Sequence, residues 1–177
     1  STDSVLTFGR PKSLAALESA FQQERIVCFV LQRNARLNDP SPEDLYSIGT
    51  LSRIERMIRT DGEINAQVKG LSRVQIVGFE KHDSYFLARV VEIPEVTEDN
   101  EEIKALCNHL TSEFRKAMNY GKSADFLLFM NIMSEITPGE LADQIASTLD
   151  IKGSERQQIL ETIDVKKRLE TVSEFLS

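Results

Sequence analysis

One change of hydrophobic period constrains this chain more than anything else in it. Up to about Pro94 the apolar residues recur every second position, and beyond it they recur at helical spacing. Ile64, Ala66 and Val68 alternate with Asn65, Gln67 and Lys69, which buries one face of a strand and wets the other. Ile103, Leu106, Cys107, Leu110, Phe114, Ala117 and Met118 instead trace one stripe of a helix. A chain that runs through strands first and helices afterwards is α+β, with the two textures segregated. The expected division is a β-rich lobe over 1–96 and a helical bundle over 97–177.

Within the first lobe, residues 1–10 read as a short strand or arm, and Pro11 and Ser13 open a helix carrying Leu14, Leu17 and Phe21. Residues 26–33 form a near-continuous apolar run rich in β-formers, the pattern of a buried strand. Residues 34–45 hold two prolines and several turn formers and read as a loop. A long strand over 49–60 meets Asp61-Gly62, a hairpin signal of the primed-turn type. Val74, Ile76 and Gly78 continue in a next strand, Lys81 to Ser84 make a turn, and 85–93 is the last strand. This half is a small antiparallel sheet or barrel.

The second half opens on an acidic helix start at 97–102, where negative charge suits the helix dipole. Gly121 is placed to end that helix, and 124–135 is apolar nearly all round. Thr137-Pro138-Gly139-Glu140 is a capping box with proline at the first helical position. A short helix follows over 154–163. Asp164 then caps a last helix with Val165, Leu169, Val172 and Leu176 on one face. That makes about five helices. The last one reaches Ser177 without a glycine stop, the pattern of a helix that continues.

The chemistry that is missing narrows function sharply. No phosphate-binding GxxxxGK[ST] loop, HExxH, CxxC or GxSxG sequence occurs. His82 falls in a turn and His109 on a helix, far apart in sequence, so neither marks a base or a metal ligand. The acidic pairs Glu101-Glu102 and Asp39 with Glu43-Asp44 fit helix capping and a solvated loop. Cys28 and Cys107 read as small buried hydrophobes of a reducing, cytoplasmic compartment. Lys and Arg number 21 against 28 Asp and Glu, a net charge of −7, which argues against a nucleic-acid partner. No apolar run reaches membrane-spanning length. The expectation is a non-catalytic chain with no metal and no cofactor of its own.

Residues 39–54 carry a proline-bearing acidic loop that runs into Leu45-Tyr46 and a Gly49-Thr50 strand start. This stretch resembles the N-terminal domain of the Lon protease family. Residues 61–76, with Gly70 and Arg73, resemble that family's next hairpin, and 8–20 its Gly-Arg turn into the first helix. Residues 139–151 and 157–176 are similar to the helices leading towards its ATPase module. No single piece is specific, but the ordered set covers nearly the whole chain. One departure is the front, where the family's Pro-Leu-rich strand is mostly missing, which would leave an edge of the lobe unpaired.

The resemblance implies a PUA-like antiparallel β-lobe, a small pseudo-barrel with one helix, followed by an α-helical bundle. It implies a role in recognising unfolded or damaged proteins and in assembling a homohexameric ring. The Ser-Lys peptidase dyad and the ATP and Mg sites would lie in modules outside this chain. A receptor for many sequences favours exposed, adaptable apolar residues. Two groups are candidates: Met57, Ile58 and Ile64 at the hairpin, and Phe129, Met130 and Met133 in the apolar helix. Core packing is the alternative for both, since alternation alone does not say which face is covered. A rival reading of the whole is a stand-alone PUA-like binding module without a protease, including an RNA-binding one.

Overall fold

The computed structural model of the chain describes residues 3–80, 83–119, 130, 132, 134 and 136–177. Two compact units emerge, Ser1–Ile93 and Pro94–Ser177. Residues 94–96 go with the helices because backbone bonds hold them there. The Val96 N–H donates to Ile163 O at 3.0 Å, and the Val165 N–H donates to Val96 O at 2.8 Å.

The first unit contains strands β1 (Asp3–Phe8), β2 (Ile26–Phe29), β3 (Ile48–Thr60), β4 (Glu63–Glu80) and β5 (Leu87–Glu92), with helix α1 (Pro11–Phe21) between β1 and β2. All pairings are antiparallel, in the order β1-β4-β3-β2, with β5 also on β4. β3 lines one side of β4, while β1 and β5 lie end to end along the other, at Ile64–Lys69 and Val74–Glu80. The short strand read over residues 1–10 is present as β1, paired over six positions.

Two further differences from the sequence reading have physical causes. Residues 63–80 form one strand of 18 residues, not two. Extra residues at Leu71 and Val77 let it bend without ending, which is what bulges do, and β3 carries one of its own at Glu55. At the hairpin only Gly62 has positive φ, at 75°, so the two-residue connection is not the type I′ turn that needs both. The strand expected over 26–33 stops at Phe29, because residues 30–47 are spent on a pinned loop. Leu31 O accepts the Tyr46 N–H at 3.0 Å and Asp44 O the Arg33 N–H at 2.7 Å, closing its neck. Arg10 reaches across to Gln32 and to Ala35 O, and Lys12 pairs with Asp39 at 2.8 Å.

The core of this unit forms where α1 covers one face of the sheet. Leu17 packs on Ile54, Ile64, Ala66 and Val68, with Phe8 and Phe29 stacked 5.4 Å apart beside them. Each such fully buried apolar side chain stabilises by about 1.5–3 kcal/mol. α1 is followed by Arg25 at φ 67°, whose N–H closes on Ala20 O at 2.8 Å and whose guanidinium lies over the Phe21 ring.

In the second unit the described helices are α2 (Glu101–Asn119), α3 (Pro138–Ala146), α4 (Gly153–Glu161) and α5 (Val165–Leu176). Their apolar stripes meet in one core built around Leu110, Phe114, Ile145, Val165, Leu169 and Val172. The caps follow the sequence pattern. Thr137 Oγ1 accepts the Glu140 N–H at 3.3 Å, and Asp164 Oδ1 accepts the Lys167 N–H at 3.2 Å. At α4 the Glu155 carboxylate reaches back to the Lys152 N–H at 2.9 Å. The expected helix end at Gly121 and most of the expected helix over 124–135 lie outside the described residues, as do Lys81 and His82.

Candidate functional site

Strand pairing sorts the hairpin residues onto two faces. Met57 stands opposite Ala66, and Ile64 opposite Arg59, on the side that α1 covers. Ile64 is buried in the core and Met57 packs against it, so neither is presented as an exposed patch. The physical reason is the period of a strand: neighbours such as Met57 and Ile58 cannot share a face. Ile58 points the other way and is 60% exposed.

That outer face is where an accessible surface exists. One row across it is Ile58–Asn65–Thr7 and the next is Arg56–Gln67–Val5. Val5 is 71% exposed, and Ile26 stands partly exposed in the further row Ile26–Arg53–Lys69–Asp3. Apolar and polar side chains interleave there on a rigid sheet. Sequence reasoning missed Val5, because its place beside Gln67 depends on a pairing between strands far apart in the chain. In the helical unit, Met130 is 51% exposed while Ile132 is buried in the bundle core. Phe129 and Met133 lie outside the described residues.

Charge around the hairpin is organised by Arg59. It grips Glu18 of α1 through two hydrogen bonds, one of 2.7 Å from Nη2, and so ties α1 to the end of β3. That hydrogen bonding holds Glu18 below the ordinary carboxylate value of 4.5 and raises Arg59. The loop carboxylates have structural work too. Asp44 accepts the Ser41 N–H at 2.8 Å and Oγ–H at 2.9 Å, which lowers its pKa. Glu102 pairs with Lys166 at 2.7 Å. Burial alone raises the Cys28 thiol to about 11 and also raises Cys107, the opposite of what a nucleophile requires. His109 is exposed on α2.

A second polar cluster lies inside the helical unit. Arg168 is fully buried yet charged. Its Nε donates to Thr162 O at 2.9 Å, and its Nη1 donates to Glu95 Oε1 at 2.6 Å and to Asp143 Oδ2 at 3.5 Å. The signal was in the sequence: Arg168 falls on the same stripe of α5 as Val165, Leu169 and Val172.

The family profile described as the ATP-dependent protease La (LON) substrate-binding domain matches residues 2–177. The chain belongs to the Lon substrate-binding-domain family. It is 34% identical over 168 residues to the Lon protease of Bacillus thuringiensis, covering 94% of this chain and 21% of that protein. It is 35% identical over 173 residues to the Lon protease of Dictyoglomus thermophilum, covering 97% of this chain and 22% of that protein. The chain therefore spans about a fifth of the length of these relatives. Among solved structures, the N-terminal domain of the Mycobacterium avium complex Lon protease superposes with a TM-score of 0.73 at 25% identity, covering 98% of this chain and 89% of that one. The Lon N-terminal domain protein from Xanthomonas campestris shares the fold with a TM-score of 0.63 at 16% identity, over 99% of this chain and 90% of that one. The α+β architecture of antiparallel sheet and helices is thus that of Lon N-terminal domains. Among the described residues no helix is long and apolar enough to cross a membrane, and no cluster of His, Cys, Asp and Glu could hold a metal ion.

Proposed function

We propose that this chain is the substrate-recognising region of a cytoplasmic, ATP-dependent Lon-type serine protease. It binds unfolded or damaged protein segments and supports assembly of a homohexameric ring. Peptide-bond cleavage and the sites for ATP and Mg belong to segments outside these 177 residues. The observation that carries this reading is the match of a substrate-binding-domain profile along residues 2–177, together with a sheet face left open beside it.

On this reading the outer face of β1, β3 and β4 takes extended apolar segments. Ile58 and Val5 supply the apolar contacts, while Asn65, Gln67 and Arg56 supply adaptable polar ones. Met130 is a further contact of the same adaptable kind. An exposed patch of interleaved apolar and polar side chains gives weak binding, about micromolar or poorer. Titrating a reduced, unfolded polypeptide into the labelled chain tests this by NMR. The expected result is shifts at Val5, Arg56, Ile58, Asn65 and Gln67. Ile58→Asp should weaken binding at least about tenfold with little change in stability, since the side chain is mostly in water. A map with residues 56–66 unshifted, or an Ile58→Asp chain that binds as tightly as before, rejects the surface.

A further inference from the structure

Residues 94–96 form no helix and no long strand, yet three parts of the helical unit hold them. Val96 makes a parallel bridge to Asp164, with one backbone hydrogen bond on each side of it. Glu95 receives the buried Arg168 guanidinium at 2.6 Å. The same carboxylate lies against the bare Cα of Gly139 in the first turn of α3. A Cβ there would stand 2.6 Å from Glu95 Oε2. Negative charge is favoured at that end of a helix. Asp143, also on α3, faces Arg168 at 3.5 Å, and Thr162 O fixes the guanidinium from the α4–α5 turn.

Burying an arginine is costly unless it is held by charge and hydrogen bonds. Most of what holds this one is either the 94–96 segment or the turn to which that segment is bonded. Arg168 Nη2 remains without a partner among the described residues. Apolar residues in place of the whole Arg168–Glu95–Asp143 group would fill the same space at no greater cost. The arrangement therefore serves the segment it grips more than the bundle around it.

We propose that residues 94–96 are an anchored strap. A pull on the chain at Pro94 passes through Glu95 and Val96 into the α4–α5 turn and α5, and does not peel α2 from its first turn. The idea rests on the reading above, in which the chain belongs to an ATP-dependent protease and is loaded as that protease works on bound protein. Geometry favours it. The Glu95–Arg168 pair and the Val96 bridge to Asp164 anchor two adjacent residues, so a pull at Pro94 meets both before it reaches α2.

Amide hydrogen exchange on the 177-residue chain tests the strap directly, with Arg168→Met and Glu95→Gln as variants. The amides of Val96 and Val165 should exchange at least about tenfold faster in both, while those of Leu110 and Phe114 keep their rates. Wild-type rates at Val96 and Val165 in a folded variant overturn the proposal. Should Arg168→Met fail to fold, Glu95→Gln decides, since it keeps size and an acceptor oxygen. The second arm uses the full-length protein. Glu95→Gln should slow degradation of a stably folded, tagged substrate several-fold and leave that of a permanently unfolded one unchanged. Wild-type rates on the folded substrate, or equal slowing of both substrates, overturn the strap. A wild-type protein that degrades neither substrate overturns the proposed function instead, and the exchange result still decides the strap.

Discussion

Substituting Ala for Gly at two positions should change stability in opposite directions, and the structure says why. A Cβ at Gly49 would lie 2.5 Å from the Phe29 carbonyl oxygen and 3.1 Å from Cys28 Sγ. The carbonyl is backbone of β2, directly beside the Phe29–Thr50 pair, and has no rotamer to retreat into. β2 must therefore shift by roughly half an ångström or more, and overpacking of this kind costs about 1–3 kcal/mol. The lower chain entropy of unfolded alanine returns about 0.5–1 kcal/mol. The net expectation for Gly49→Ala is a loss of about 1–2 kcal/mol in the β-lobe. A suitable probe is the Ile54 amide, which donates to Arg25 O at 2.8 Å next to the start of β2. Its exchange should speed up by about 5- to 30-fold. At Gly153, the first residue of α4, an added Cβ meets nothing within 4 Å. Gly153→Ala should stabilise the helix by up to about 0.5–1 kcal/mol and slow the exchange of α4 amides. A Gly49→Ala chain that exchanges at the wild-type rate or slower refutes the argument, because it means the close approach is not maintained in solution.

Three other outcomes follow from the same geometry. Glu18 is lowered in the folded state, so the stability it gains from Arg59 is complete above about pH 4.5 and fades as the pH falls through its depressed value. An NMR titration should find its midpoint below 4.5, returning to the ordinary value in Arg59→Met; identical midpoints count against the pair. With its thiol near 11, Cys28 is thiolate in on the order of one molecule in three thousand at pH 7.5. Native Cys28 should therefore resist a disulfide reagent that labels it promptly in urea, and fast labelling of the folded chain contradicts the burial. Thr137→Ala removes the hydroxyl that accepts the Glu140 N–H and should cost α3 about 1 kcal/mol by chemical denaturation; an unchanged midpoint shows the cap to be idle.

Legibility in the sequence followed the range of the interactions. The caps at Thr137 and Asp164 and the alternation of Ile64, Ala66 and Val68 are local, and each stood in the sequence as it stands in the fold. The continuity of β4 was not legible: Val74, Ile76 and Gly78 read as a next strand, whereas a bulge at Leu71 lets one strand run on. The surface was legible only in part. That Ile58 is apolar is written in the chain, but that α1 covers the opposite face and leaves Ile58 in water is decided by the packing of Leu17. Glu95 falls outside the acidic helix start at 97–102 and drew no reading from the sequence. Its partner Arg168 lies far along the chain in α5, and nothing local announces it.

The placement of β1 and β5 end to end on one side of β4 also dictates an order of events during synthesis. β1 is made before the other strands of the lobe, yet every residue it pairs with belongs to β4, as Asp3 does with Lys69. At about 5–20 residues per second that wait lasts several seconds. For that interval the backbone N–H and C=O groups of Asp3 to Phe8 have no partner strand. β5 completes the same edge only after β4 is whole. The β-lobe is thus obliged to close its first strand late, and slow translation across residues 9–63 would lengthen the time in which that strand invites a wrong partner.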